Sequence, residues 1–201
     1  MKQALVVFVK NPILGKVKTR IAKDSGDLEA LNIYKELLKI TKNTTDSLDI
    51  QVYIFYDQWI ARNDMWSGHQ YHFRTQQGHD LGERMLHAFS HLFKEGFGQV
   101  VLMGSDCPYI LKSHLLDAFN SLSSHDVVFG PTYDGGYYLI GMNELQPRLF
   151  LNMKWSIDTV LDCSLERVTD QNLNFHLLEK LEDIDHWEDW KKYKSKYQSK
   201  L

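Results

Sequence analysis

The chain has 201 residues, a formal charge of −3 and a 43% hydrophobic share, with 12% aromatic residues. This suits one substantial core in a single domain over residues 1–201, and the slightly acidic balance lacks the basic footprint of a nucleic-acid binder. The apolar run near the start, Ala4 to Val9, is too short for a membrane span or a leader, and the two cysteines, Cys107 and Cys163, do not make a disulfide framework, so the expectation is a cytoplasmic protein with no membrane span and no nucleic-acid partner.

Ala4 to Val9 is continuous, apolar and rich in β-branched residues, the pattern of a central strand buried on both faces. The next stretch, Lys10 to Arg20, is broken by Pro12 and Gly15 and reads as a loop carrying Lys10, Lys16, Lys18 and Arg20. Asp27 is placed to cap a helix whose apolar face holds Leu28, Leu31, Tyr34, Leu37, Leu38 and Ile40. Residues 51–56 and 71–74 read as strands, separated by an irregular polar stretch from Asp57 to Gln70. A second loop, Gln77 to Met85, opens a helix with Leu81, Met85, Ala88, Phe89 and Leu92 at helical spacing, and Gly96 stops it. Val100 to Met103 is the next strand, and Gly104-Ser105-Asp106-Cys107-Pro108 follows it directly. Then come a helix near Ser113–Leu122, a strand over 126–130, a tight loop from Pro131 to Gly136 and a returning strand over 137–141. Ser156 is positioned to cap a helix through Val160, Leu161, Leu165 and Val168. The segments Phe175 to Leu178 and Leu181 to Asp185 and a surface helix with lysines from Lys191 to Lys200 finish the chain. Strands alternating with helices predict an α/β fold on a mostly parallel sheet, and the hairpin-like pair around Asp134-Gly135 predicts that the sheet is mixed.

In open α/β sheets ligands collect beyond the carboxyl ends of the strands. Asp106 stands there as a metal or phosphate handle, with Gly104 and Ser105 leaving room for other groups; the plainer alternative is an Asx-turn before Pro108. The cationic first loop leaves strand one at the usual place for phosphates, though a solvated loop would look the same. It is not a P-loop, because Lys10 replaces the first Gly and Val17 follows Lys16, and no G-x-G-x-x-G follows the strand. Asp185 is a second carboxylate candidate, but Asp185-His186-Trp187-Glu188 also has capping-box spacing; Asp183 lies on the same side if this segment is extended. Asp106 with Asp185 would suit Mg²⁺, which takes one or two carboxylates plus substrate phosphates. His87 and His91 share a helix face opposite the apolar stripe and read as solvated, and Cys107 reads as packing rather than a nucleophile.

Four segments carry a wider pattern: Lys10-x-Pro12-x-x-Gly15-x-x-Lys18-Thr19-Arg20, Gln77-Gly78-x-Asp80-Leu81-Gly82-Glu83-Arg84-Met85, Gly104-Ser105-Asp106-Cys107-Pro108, and Gly130-Pro131-x-x-Asp134-Gly135-Gly136-Tyr137-Tyr138-Leu139-Ile140-Gly141. With Trp155-Ser156 and Leu181-x-Asp183-Ile184-Asp185 after them, they resemble the bacterial DUF2064 family of the nucleotide-diphospho-sugar transferase (GT-A) superfamily. The family often reads Trp-Ser-Thr where this chain has Ile157 after Ser156. The Lys18-Thr19-Arg20 loop also resembles that of the phospholactate guanylyltransferases.

The resemblance implies a three-layer α/β/α GT-A fold, with Asp106 and Asp185 holding Mg²⁺ or Mn²⁺ on the phosphates of a nucleotide donor. Lys18 and Arg20 are then expected to clamp those phosphates, Lys10, Gly15, Thr19, Gly78, Asp80, Arg84 and Ser105 to shape the nucleotide pocket, and Asp134 to hold hydroxyls of the sugar or of a small-molecule acceptor. The expected activity is glycosyl transfer from a nucleotide-diphospho-sugar. A guanylyltransferase-like reaction of a nucleoside triphosphate, releasing pyrophosphate, is the alternative, and a non-catalytic nucleotide-binding module is the third reading. A homo-oligomeric state is left open.

Overall fold

The computed structural model describes residues 1–61, 64–66 and 68–197. Lys200 of the tail lysines, and three residues of the irregular stretch after Tyr56, lie outside them. Among the described residues, β1 (Gln3–Val9), β2 (Gln51–Tyr56), β3 (Tyr71–Thr75), β4 (Gln99–Met103), β5 (Val127–Pro131), β6 (Tyr137–Met142) and β7 (Phe175–Leu177) form one sheet in the order β3-β2-β1-β4-β6-β5-β7. β6 runs antiparallel to β4 and β5, whereas the other pairs are parallel. The mixed, mostly parallel sheet is therefore as expected.

The helices are α1 (Thr19–Ser25), α2 (Asp27–Asp46), α3 (Leu81–Lys94), α4 (Lys112–Ser121), α5 (Val160–Asp170) and α6 (Trp187–Tyr197). Alternation along each strand sends side chains to two faces. Leu5, Val7, Ile54, Val101 and Met103 pack with Leu31, Tyr34 and Leu38 of α2 and Leu115 of α4. Val6, Phe8, Phe55, Val100 and Leu102 pack with Met85, Phe89 and Leu92 of α3 and Val168 of α5. Both faces are covered, which is why β1 and β4 read as unbroken apolar runs; each large side chain fully buried this way contributes about 1.5–3 kcal/mol. A third cluster joins α2 to the C-terminal segment: Ile33 and Leu37 pack with Ile21, Ile184 and Trp190.

Several local expectations change. The first loop ends earlier than expected, because α1 begins at Thr19. Gly26, at φ 85°, donates its N–H to Ala22 O and opens α2, so Asp27 is the first helical residue rather than its cap. Leu28 is 67% exposed, while Ala30 and Ile33 are buried: α2 is wedged between the sheet and the C-terminal segment, and two of its sides are covered. Ser156 does not cap α5, which starts at Val160; it adopts φ 63° in the connection instead. The capping box expected from Asp185 and Glu188 is displaced by one residue, since the Asp189 carboxylate accepts from the N–H groups of Asp185 (3.1 Å) and His186 (2.7 Å). His87, read as solvated, is exposed, and the side chain of His91, read likewise, is 41% exposed; both also line an open cavity between α3 and the β2–β3 edge. Among the described residues, no helix is long and apolar enough to cross a membrane.

Candidate active site

Parallel pairing brings the carboxyl end of β1 beside that of β4, with Val7 opposite Met103. The chain leaves both strands at this edge into a cleft of about 490 Å³. Its lining includes Lys10 after β1, Asp57 after β2, Arg84 at the start of α3, and Ser105 and Asp106 after β4. Gly104 sits at the rim, where an added Cβ would meet nothing within 4 Å, so the cleft stays open there.

Lys18 is the residue around which the charges assemble. It adopts the left-handed conformation (φ 47°, ψ 45°) immediately before α1, a conformation that costs a non-glycine residue of order 1 kcal/mol. From there its ammonium lies 2.9 Å from Asp106 Oδ1 and 3.7 Å from Asp185 Oδ1, and donates to the Ile184 carbonyl at 2.6 Å. The Lys18 side chain is 6% exposed, whereas Asp106 is 47% exposed. Arg20 donates to Asp185 Oδ2 at 2.9 Å. The two cations expected to clamp phosphates thus stand among oxygen donors of the chain itself, and Asp185, released from capping, holds both of them.

The C-terminal segment reaches the cleft because it is sewn to the sheet edge. Leu178 N–H donates to Phe129 O, Leu181 N–H to Pro131 O and Ile184 N–H to Asp106 O, and the Ile184 side chain is fully buried against α2. This delivers Asp183 to the cleft lining next to Asp106. Its Oδ1 is buried and finds no hydrogen-bond partner. Burial first, then the negative charge of Asp106, pushes the Asp183 carboxyl up to about 7; Lys18 pulls it down, while Asp134 and Asp185 add to the rise. Burial and the neighbouring Asp183 also push the Cys107 thiol well above its ordinary range, so the packing role expected for it stands.

Among the described residues, no group of three or more His, Cys, Asp or Glu side chains is assembled to hold a metal. The donor set still fits a hard divalent cation. Asp106 and Asp183 are oxygen donors in one cleft, one of them with an orphaned oxygen, and an ammonium already stands beside Asp106.

Of the expected site residues, the structure brings Lys10, Arg84, Ser105 and Asp106 to the cleft wall, with Lys18, Arg20 and Asp185 in the adjoining ion-pair group. Others have local roles. Asp80 Oδ1 caps α3 by accepting from Glu83 N–H at 2.8 Å. Gly78, at φ 137°, leaves its carbonyl to accept from Arg84 Nε at 3.2 Å, so it orients Arg84. Gly15 turns the first loop at φ 71° against Asp27, and Thr19 opens α1. Asp134 Oδ1 accepts from Thr132 Oγ1 and from Gly136 N–H, closing its own turn.

Three further residues shape the site. Tyr34 lines the cleft, accepts from Lys10 N–H (2.7 Å) and donates to Lys10 O (3.0 Å). Asn11, 2% exposed, accepts from Gln58 and Trp59 N–H and gives its own N–H to Asp57 Oδ1 at 2.6 Å, which fastens the first loop to the end of β2. The signal that singles out Asp106, an acid within three residues of the end of an apolar strand, applies equally to Asp57 after β2. Asn11 carries no such signal, since nothing local marks a buried loop amide.

The Asp134 turn depends on Gly135. It sits at φ 87°, and an added Cβ would lie 1.8 Å from the Asp158 carbonyl oxygen. Gly135→Ala is therefore expected to cost about 2–4 kcal/mol, by backbone strain plus displacement of the segment before α5. Urea denaturation checks this; a midpoint equal to that of wild type would show that the turn relaxes freely.

The DUF2064 family model, described as an uncharacterized protein conserved in bacteria, matches residues 40–157. No curated protein matches the chain. Among solved structures, a protein of Desulfovibrio desulfuricans G20, whose assignment as a nucleotide-diphospho-sugar transferase is itself provisional, is 33% identical; the match covers 100% of this chain and 90% of that one, with a TM-score of 0.89. A 4-diphosphocytidyl-2C-methyl-D-erythritol synthase from Anaerococcus prevotii shares the fold at 12% identity (98% and 96% covered, TM-score 0.63). So does a manganese-bound protein of Mycobacterium tuberculosis H37Rv at 12% identity (95% and 96% covered, TM-score 0.53). The α/β architecture, the matched segment and the relative spanning the whole chain agree: this chain belongs to the DUF2064 family of the nucleotide-diphospho-sugar transferase superfamily.

Proposed function

We propose that this chain is a metal-dependent transferase acting on a nucleotide-diphospho-sugar. The observation that carries the reading is the convergence of Asp106 and the orphaned oxygen of Asp183 on a cleft also lined by Lys10 and Arg84. The charge count favours a diphosphate. Of the cations expected to meet phosphates, Lys18 and Arg20 are answered by Asp106 and Asp185, which leaves Lys10 and Arg84 on the cleft wall. Asp106 and Asp183 would hold Mg²⁺ or Mn²⁺, which when bound offsets charge developing on the departing phosphate. Asp185 is assigned to positioning: it holds Arg20 and, with Asp106, keeps the Lys18 ammonium at the cleft edge. Lys10 and Arg84 bind the phosphates, Arg84 being oriented by the Gly78 carbonyl. Catalysis of this kind is positioning and electrostatics and needs no covalent nucleophile, in keeping with the raised thiol of Cys107. Among similar structures, the manganese-bound mycobacterial protein supports the metal, and the D. desulfuricans relative supports the donor class.

Thermal-shift measurements with sugar nucleotides and nucleoside triphosphates, each with and without Mg²⁺ or Mn²⁺, test this. A ligand at a hundred times its Kd adds about 2.7 kcal/mol of stability. The expected result is a metal-dependent shift with a sugar nucleotide. A shift confined to triphosphates, with pyrophosphate released, would convert the assignment to a nucleotidyltransferase. No shift with any nucleotide under any metal condition would remove nucleotide transfer altogether.

A further inference from the structure

We propose that a second cavity, on the α3 side of the sheet, is a binding site for a small organic phosphate, separate from the nucleotide cleft. The cavity measures about 480 Å³, close in size to the catalytic cleft. Basic residues line it: Arg74 from β3 stands with His87, His91 and Lys94 from α3. Ser90 and Thr75 also belong to the lining.

Two ordinary explanations do not cover the arrangement. Cations in the last turn of a helix answer its dipole, which accounts for His91 and Lys94. It accounts neither for Arg74, which comes from a strand, nor for His87, which lies in the middle of α3. Internal pairing covers only part of the charge. Glu95 lies 3.5 Å from Arg74 and accepts from the Tyr53 hydroxyl at 2.8 Å, while Arg74 Nε donates to His91 Nε2 at 3.1 Å. Among the described residues, neither Lys94 nor His87 has an ion-pair partner. Arg74 and Lys94 against Glu95 leave the lining positive before either histidine takes a proton.

The apolar lining decides the ligand class. Phe55, the register partner of Arg74 on β2, lies with Leu86, Leu145 and Pro147 among the basic side chains, and this apolar surface would do nothing for a bare inorganic ion. A phosphate monoester with a ring or hydrocarbon body suits this mixed lining: its dianion meets Lys94, His87 and Arg74, and its body covers the apolar side chains.

The test uses NMR of the full chain and reads the ring protons of His87 and His91, assigned through His87→Gln and His91→Gln. Neither ring lines the nucleotide cleft, so phosphate bound there leaves them unmoved. Inorganic phosphate is expected to shift both rings saturably, and phenyl phosphate to do so at lower concentration. Lys94→Ala, an exposed position, should weaken the phosphate response roughly tenfold, the loss of one charge-assisted contact. Asp106→Asn should leave it unchanged. An equal shift from sodium chloride at matched ionic strength would overturn the site, as would an unchanged response in Lys94→Ala or its loss in Asp106→Asn. Phenyl phosphate no tighter than inorganic phosphate would overturn the ligand class.

Discussion

Replacing Asp106 by Asn should abolish the metal-dependent part of any nucleotide-induced thermal shift and lower donor turnover by on the order of 10³-fold. The magnitude follows from the role. A bound divalent cation supplies several kcal/mol of stabilisation to charge developing on phosphate, and each 1.36 kcal/mol is tenfold in rate. The fold should survive, because Asp106 is 47% exposed and its backbone contact, the acceptance of Ile184 N–H, is untouched by the change. A stability loss of about 1 kcal/mol is expected, since Lys18 keeps the Ile184 carbonyl and Asp185 as partners. The two measurements separate the explanations. If Asp106 only closes a turn, the melting temperature drops while the metal response persists. If it holds the metal, the metal response is lost and the melting temperature falls by no more than that small loss. Asp185→Asn gives the contrast: it should loosen Arg20 and Lys18 but leave the metal response in place, because the orphaned oxygen in the cleft belongs to Asp183.

The fold could be read from the chain because its strands are buried on both faces and its turns are punctuated by Gly and Pro. β2 runs over the expected residues, and the reversal at Asp134-Gly135 yields the antiparallel β6. Helix starts were harder to read. Asp27, Ser156 and Asp185 all have capping chemistry, and none caps, because the backbone near each is set from elsewhere: by Gly26 between two helices, by the contact of Asp158 with the Gly135 turn, and by Asp189 reaching back. The cleft lining was legible where a residue lies within three positions of a strand end, as Lys10 and Asp106 do. It was not legible where its role comes from long-range packing. Lys18 meets Ile184 across 166 positions, and Asp183 rather than Asp185 faces the cleft because Ile184 is locked under α2.

Asp183 should give this protein an unusual stability profile. An unfolded aspartate releases its proton near pH 3.9, whereas in the folded chain burial and Asp106 hold the proton to about 7. Between those values the folded state binds more protons than the unfolded state, so this group makes stability fall as pH rises from about 4 to about 7. The shift corresponds to as much as about 4 kcal/mol, at 1.36 kcal/mol per pH unit. Asp183→Asn keeps the shape and removes the titration. The variant should match wild type below pH 4, gain on it steadily through neutrality and stay more stable at pH 8, as read by urea midpoints across the series. Parallel curves for the two proteins would mean that Asp183 ionises without penalty, through water that reaches its buried oxygen. Asp106 is the second cause of the rise, so in Asp106→Asn the falling limb should end at lower pH. A divalent cation should act in the same direction, because it stabilises the ionised carboxylates: Mg²⁺ should flatten the wild-type slope and leave Asp183→Asn unchanged. That pairing ties the pH profile to the metal assignment, since a carboxylate that is costly to ionise in the free protein is the one whose ionisation a bound cation repays.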